Sequence, residues 1–199
     1  MEIVPIIFLA FALGSGLVLP FIFQGEFANI FCIIIAIALF SYFEFSVLQL
    51  TKKDSMTGLL NRHAYYSDIS SDPKSITAII SIDMNGLKRI NDNEGHAAGD
   101  EAIVTLASCF AKSIKSKQSG YRIGGDEFLI ICWKTSEEEV LDVVEHIRKN
   151  VSQTKYSCSI GNSFNTSRDK SIDKMAKESD EMMYLEKEKY YAASGLRRS

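Results

Sequence analysis

The chain has 199 residues, of which 46% are hydrophobic and 24% are charged, and its net charge at pH 7 is −3. That length accommodates one ordinary domain and an extension. Because the net charge is slightly negative and no strongly basic stretch is present, we predict no nucleic-acid partner.

The first 50 residues differ from the rest in composition. They contain no Lys or Arg and only three acids; once these are removed from the total of 25, 22 acids balance the 22 basic residues of the remaining chain. Residues 3–23 are an uncharged run long enough to cross the roughly 30 Å hydrocarbon core of a bilayer. A second apolar run covers residues 27–50, and its only charged residue is Glu44. We therefore predict two transmembrane helices within residues 1–50.

Two other interpretations of these runs are less favoured. A secretory signal peptide would begin with a basic region and would have a shorter apolar core. A buried core helix would be striped with polar residues, whereas both runs are continuous. Lys52 and Lys53 are the only basic residues that flank either run, so the positive-inside tendency places the following domain in the cytoplasm.

Alternating helix and strand patterns follow a linker over residues 51–61. In chain order they first predict a helix capped by Asn61 and running to about Ser70, a strand over 76–84, a short helix over 86–92 and a loop over 93–99. An amphipathic helix from Asp100 to about Lys115 and a hairpin over 121–132 follow. The last predicted elements are a helix with a Ser136–Glu139 capping box ending near Val151, a strand over 156–161 and a helix over about 171–191, whose core side carries Ile172, Met175, Ala176, Met182 and Met183. This order predicts an α/β domain with a mostly antiparallel sheet. The four cysteines lack metal-ligand spacing and are predicted to be buried thiols.

The hairpin places two acids at its tip. Gly124 and Gly125 allow the positive backbone dihedrals of a tight turn, and Asp126 and Glu127 follow them. Neither face of the second strand is polar, so we expect the sheet to be covered on both sides. Carboxylates that project from a buried sheet are costly unless a cation takes up their charge, and this predicts a metal site.

A second acidic strand end lies upstream. The apolar strand over residues 76–84 ends with Asp83, and polar and glycine residues follow it. Ligands of open α/β sheets bind at strand ends, so Asp83 and Asp126 can share one cation if their strands are neighbours.

Three segments together resemble the GGDEF family, the diguanylate cyclases. They are DSMTGLLNR at residues 54–62, DMNGLKRINDNEGHAAGD at residues 83–100 and RIGGDEF at residues 122–128. The resemblance covers residues 54 to about 190 and implies a catalytic domain over 54–199 with the ferredoxin-like palm of nucleotidyl cyclases. It implies that two GTP molecules are condensed into cyclic di-GMP by a homodimer, at the cytoplasmic face of the bacterial inner membrane.

The resemblance also implies the roles of single residues. It makes Asp83, Asp126 and the Met84 carbonyl ligands of Mg²⁺ or Mn²⁺, Asp126 an acceptor of the hydroxyl proton and Lys88 a partner of the phosphates. The implied substrate contacts are Asn91, His96, Asp100, Arg122 and Lys187. Asp100 can accept both hydrogens on the guanine edge, which adenine lacks.

Simpler roles remain open for several of these residues. Glu127 either contacts metal or supports the turn with Gly124 and Gly125. Lys88 is otherwise a solvated helix lysine, His96 a loop histidine bonded to backbone, Asp100 a helix cap and Lys187 a surface lysine.

Two departures from the family pattern affect function. Tyr190 and Tyr191 replace a glycine and a basic residue, which puts phosphate binding at that end in doubt. Lys115-Ser116-Lys117-Gln118 stands where many cyclases have the Arg-x-x-Asp that binds product, so we predict weak or absent product inhibition. The rival functions are an inactive GTP-binding or signalling module in the membrane, and a domain that serves only for assembly.

Overall fold

The computed structural model of the chain describes residues 52–165 and 169–194, together with positions 14, 33, 35–40 and 42–43. The chain divides into two compact units, Met1–Thr51 and Lys52–Ser199. The predicted membrane helices over 3–23 and 27–50 lie for the most part outside the described residues. Within the described residues, no helix combines the length and the apolar character needed to cross a membrane.

Residues 52–165 and 169–194 of the second unit contain one sheet of five strands. They are β1 (Leu60–Asn61), β2 (Ile76–Met84), β3 (Gln118–Arg122), β4 (Glu127–Trp133) and β5 (Cys158–Phe164). Their order across the sheet is β1-β3-β4-β2-β5. The β3–β4, β4–β2 and β2–β5 pairs are antiparallel, and the two-residue β1–β3 pair is parallel. The prediction of a mostly antiparallel sheet is confirmed.

In the described residues of the second unit, five α-helices accompany the sheet. They are α1 (Arg62–Ser71), α2 (Leu87–Glu94), α3 (His96–Ser113), α4 (Glu137–Ser152) and α5 (Ile172–Ser194), and a 3₁₀ turn covers Pro73–Ser75. Two predicted caps are confirmed. The Asn61 side chain accepts a hydrogen bond from Ala64 N–H, and Ser136 and Glu139 form a reciprocal capping box.

Both faces of the sheet are buried, as the apolar alternation of β4 predicts. Phe128 and Ile130 belong to a core that includes Phe110 of α3 and Ile147 of α4. Leu129 and Ile131 face the other way and join a smaller core with residues of α1 and α5. Full burial of one such side chain contributes about 1.5–3 kcal/mol, so the central position of β4 in the sheet is strongly favoured.

Two predictions about helices are wrong. The stretch 93–99 is not a loop, because α2 and α3 are separated by Gly95 alone. Gly95 has φ 87°, a backbone conformation open to glycine, and it turns the chain within a single residue. Met182 does not face the core: it is 49% exposed, whereas Met175 and Met183 are buried. Met182 and Met183 are neighbours and therefore point about 100° apart around the helix.

Helix α5 lies directly on β5. A Cβ atom on Gly161 would approach Ser179 O to 2.0 Å and Met183 N to 2.2 Å. The hydroxyls of Ser81 and Ser179 are 2.8 Å apart in the same buried region. The missing side chain of Gly161 is therefore what allows the helix backbone to reach the strand.

Candidate active site

The acidic ends of β2 and β4 lie side by side. Asp83 is paired with Glu127 across the antiparallel strands, and Met84 N–H donates to the carbonyl oxygen of Asp126 at 3.0 Å. The prediction that the two strands are neighbours is confirmed. Three carboxylates are thus concentrated at one edge of the sheet.

The turn between β3 and β4 is closed by backbone hydrogen bonds. Ile123 N–H and Gly124 N–H both donate to Glu127 O, at 3.0 and 3.3 Å. The prediction of positive φ at Gly124 and Gly125 is wrong, because neither lies in the left-handed region. A Cβ at position 124 would be 2.6 Å from Glu127 Oε2, the end of an exposed side chain that could move aside. The exposed Glu127 side chain lies close to Gly124, and its role, at a metal or in the turn, stays a prediction.

Arg122 joins this turn to the start of the domain. Its Nε and Nη2 donate to Gly125 O at 3.2 and 2.9 Å, and its Nη1 donates to Asp54 Oδ1 at 3.2 Å. Thr57 also donates to Asp54, through its backbone N–H and its hydroxyl. Burial raises the pKa of Asp54, but the hydrogen bonds from Thr57 and Arg122 outweigh this and leave it lowered. The sequence did not single out Asp54, although it is the first residue of the first matched motif.

Lys187 contacts the acidic strand end. Its Nζ donates to Asp83 Oδ1, and the two side chains are only 13% and 10% exposed. The interpretation of Lys187 as a surface lysine is therefore wrong. Burial raises the pKa of Asp83, and Asp126 and Glu127 raise it further, whereas Lys187 lowers it. Burial is the largest cause of the net rise in the pKa of Asp83.

The predicted substrate residues Asn91, His96 and Asp100 surround the corner at Gly95. A Cβ on Gly99 would lie 1.9 Å from Asn91 Oδ1, so the side chain of Asn91 rests on the bare backbone of α3. His96 and Asp100 are exposed and four residues apart, on one face of α3. Because α3 begins at His96, Asp100 lies inside the helix, and its interpretation as a cap is wrong.

Lys88 is exposed in the first turn of α2, close in sequence to Asp83. A cleft of about 140 Å³ opens beside that turn and is lined by Asn85, Gly86, Arg89, Ile90, Asn93, Glu94, Lys155, Tyr156, Ser157 and Tyr190. A larger cleft of about 590 Å³ lies along β5 and α5 and is lined by none of the predicted site residues.

The oxygen donors fit a divalent cation such as Mg²⁺. Across residues 52–165 and 169–194, no group of three His, Cys, Asp or Glu side chains could hold a metal ion. Mg²⁺ does not require such a group, because it commonly uses one or two carboxylates together with water and substrate phosphates. Asp83, Asp126 and the backbone carbonyl of Met84 are the residues that would bind it.

The stretch 115–118 forms a closed turn. Gln118 is buried, and its Oε1 accepts a hydrogen bond from Lys115 N–H at 2.7 Å. Lys117 pairs with Glu139 at 3.1 Å. Gln118 and Lys117 are thus engaged within the domain.

Comparison with known proteins agrees with the geometry. Residues 51–191 match the model of the family "Diguanylate cyclase, GGDEF domain". The chain is 34% identical over 114 residues to diguanylate cyclase DosC of Escherichia coli K12, which covers 54% of this chain and 25% of that protein. It is 31% identical over 156 residues to diguanylate cyclase DgcN of the same strain, covering 71% of this chain and 38% of that protein. The chain therefore spans well under half the length of these curated relatives.

Solved structures show the same fold. The coiled coil and GGDEF domain of DgcB from Caulobacter crescentus, in complex with c-di-GMP, superposes with a TM-score of 0.65 at 20% identity, over 83% of this chain and 96% of that one. Diguanylate cyclase SiaD from Pseudomonas aeruginosa, in complex with its activator SiaC, gives 0.64 at 18% identity over 92% and 77%. The matched sequence, the paired acidic strand ends and the fold together lead to one conclusion: the chain belongs to the GGDEF-domain family of diguanylate cyclases.

Proposed function

We propose that this protein is a membrane-anchored diguanylate cyclase that condenses two GTP molecules into cyclic di-GMP and releases two pyrophosphates. The observation that carries the proposal is the meeting of Asp83 and Asp126 at adjacent strand ends, with Lys187 beside them. The curated relatives DosC and DgcN are named diguanylate cyclases, which supports the same reaction.

The chemistry requires the 3′-hydroxyl of each GTP to attack the α-phosphate of the other. A divalent cation, Mg²⁺ or Mn²⁺, supplies charge neutralisation at the phosphates and lowers the proton affinity of the attacking hydroxyl. Asp126 accepts the hydroxyl proton, and pyrophosphate leaves. Lys88 and Lys187 bring positive charge to the phosphates, and the Arg122 contact with Gly125 O keeps the turn in place.

The guanine base of GTP binds near the C-terminal end of α2. Helix α2, which follows the acidic end of β2 in the chain and ends at the corner at Gly95, has eight residues and is about 12 Å long. Asn91 and Asp100 at the corner then read the guanine, and the Asp100 carboxylate accepts from its N1 and exocyclic amino hydrogens. His96 lies on the same face and contributes a further polar contact.

The remaining parts of the proposal concern assembly and location. Each domain holds one GTP, so the reaction needs two domains facing each other in a homodimer. The apolar runs over 3–23 and 27–50 anchor the chain in the bacterial inner membrane, and Lys52 and Lys53 keep the catalytic domain in the cytoplasm.

The test is mass spectrometry of the products formed by the purified, detergent-solubilised chain with Mg²⁺ and GTP, ATP or both. We expect cyclic di-GMP from GTP alone and no cyclic dinucleotide from ATP alone. Asp126→Ala should abolish the product and retain the fold by circular dichroism. If the folded wild-type protein binds GTP without converting it, the chain is a non-catalytic GTP-binding module, and the proposal is wrong.

A further inference from the structure

The fully buried residues of helix α5 end at Met183. Its buried residues are Met175, Ser179 and Met183, and the close contact of its backbone with Gly161 also involves Met183. Lys187 lies one turn further along the helix. The core and the backbone contact therefore hold the helix one turn before Lys187, and neither of them touches its side chain.

An ion pair between α4 and α5 lies one residue before Lys187. The Arg148 guanidinium donates through Nη1 and Nη2 to the two carboxylate oxygens of Glu186, at 2.8 and 2.6 Å. Glu186 Oε1 also accepts from Ile160 N–H of β5 at 3.3 Å. The hydrogen bond to Glu186 raises the pKa of Arg148. Bidentate geometry of this kind distinguishes the pair from ordinary surface ion pairs, most of which contribute little.

Two consecutive residues of α5 thus attach to two neighbouring strands. Glu186 is bonded to Ile160 of β5, and Lys187 reaches Asp83 of β2, which is paired with Ser159 in the sheet. Successive helical residues point about 100° apart, so the direction of one fixes the direction of the next. A rotation of the helix end that breaks the Glu186 contacts also moves Lys187 away from Asp83.

We infer that Arg148 and Glu186 are positioning residues that hold the end of α5 so that Lys187 reaches the acidic strand ends. The inference rests on the proposed function, in which Lys187 serves the substrate phosphates. A purely structural role for the pair would be to cover the free edge of β5. The two roles differ in whether the effect of Arg148 depends on Lys187.

A double-mutant cycle on the full chain tests this dependence. The wild type, Arg148→Met, Lys187→Met and the double variant are compared by kcat and KM for cyclic di-GMP formation. We expect Arg148→Met to lower kcat/KM about tenfold and the double variant to match Lys187→Met within about twofold, because one residue acts through the other. Losses that multiply in the double variant, or an Arg148→Met enzyme with wild-type kinetics, would overturn the inference.

Matched variants separate positioning from stability. Lys177→Met removes another ion pair of α5, with Glu181 at 3.8 Å, and should keep wild-type kinetics. The exchange of charges in Arg148→Glu with Glu186→Arg should recover part of the activity that either single change loses, because it restores the ion pair but leaves Ile160 N–H without its acceptor. A folded exchange variant that stays as inactive as the single variants would contradict positioning by the ion pair itself. If Arg148→Met does not fold, Glu186→Gln takes its place in the cycle.

The wild-type result tests the proposed function separately. If the wild type forms no cyclic di-GMP, that proposal fails, and the same four proteins are compared by the dissociation constant of a non-hydrolysable GTP analogue. Arg148→Met should then weaken binding only when Lys187 is present. Equal weakening in both backgrounds would overturn the inference.

Discussion

At the scale of single residues, Gly99 provides the most specific test of the proposed guanine-binding site at the corner at Gly95. The side chain of Asn91 occupies the space of the missing Gly99 side chain, so Gly99→Ala would force Asn91 out of place. We expect KM for GTP to rise about tenfold, with a smaller change in kcat. The melting temperature should hold or rise slightly, because alanine is favoured over glycine within a helix.

Asn91→Ala is the matched variant for this experiment. It should raise KM by a similar factor, and combining it with Gly99→Ala should add little, since both changes remove the same contact. A Gly99→Ala enzyme with an unchanged KM would show that Asn91 does not contact the substrate.

Asp54 gives a prediction about pH. Its pKa is lowered in the folded protein, so its carboxylate stabilises the fold above the unfolded pKa of about 3.9, and this contribution is lost as the pH falls through the lowered value. Asp54→Asn should destabilise the domain by about 1–2 kcal/mol at pH 7, because charge-assisted hydrogen bonds from Thr57 and Arg122 are weakened. Unfolding measured from pH 7 to pH 3 should show this difference shrinking below about pH 4. A difference that is constant with pH would show that the carboxylate charge is not involved.

At the scale of elements, the contact between β5 and α5 leaves no room for a side chain. The atoms that a Cβ on Gly161 would meet belong to the helix backbone and cannot turn aside. We expect Gly161→Ala to destabilise the domain by about 3 kcal/mol or more, measured by denaturant unfolding. Gly125→Ala is the control: a Cβ there meets nothing within 4 Å, and stability should stay near that of the wild type.

The closed turn at Lys115–Gln118 predicts how the proposed cyclase activity responds to cyclic di-GMP. Gln118 is buried and bonded to Lys115 N–H, so this turn offers neither a guanidinium nor a carboxylate to a guanine. Titration of the enzyme with cyclic di-GMP should leave the initial rate unchanged up to high micromolar product. Potent inhibition would reveal a product site that this turn does not explain.

Sequence patterns predicted the elements better than the connections between them. Alternation in β4 and helical spacing in α3 reflect burial on one face, which repeats along the chain and is therefore visible in the sequence. The corner at Gly95 depends on the φ angle of one residue, and a glycine between polar residues indicates a loop equally well. The pair Arg148–Glu186 joins residues 38 apart, and no local pattern encodes such a contact.

The sequence predicts the acidic residues of the site but not the residues that hold the site in place. Asp83 and Asp126 are predicted to lie together because each lies at one end of an apolar strand, and ligands bind at strand ends. Asp54 contacts Arg122, and Glu186 contacts Arg148 near the end of α5. Neither of these two acids lies at the end of a strand. Their roles depend on contacts between distant segments, which the resemblance did not include.

At the scale of the whole molecule, the proposed reaction requires two copies of the chain. Specific activity should therefore fall when the protein is diluted below the dissociation constant of its dimer, measured as product per minute per milligram across a hundredfold range of concentration. Mixing an excess of Asp126→Ala with the wild type should further lower the rate, because mixed dimers form. A specific activity that is independent of concentration, with a monomer seen by light scattering, would contradict catalysis by a dimer.

The one-residue corner at Gly95 also constrains how this gene can change by insertion or deletion. A helix advances about 100° for each residue, so one extra residue between α2 and α3 would swing His96 and Asp100 to another side of the molecule. Reading frame-preserving indels should therefore be tolerated far less here than at the ends of α4, even though every residue at the corner except Gly99 is partly or fully exposed. The spacing between Asn91 and Asp100 matters as much as the identity of either residue.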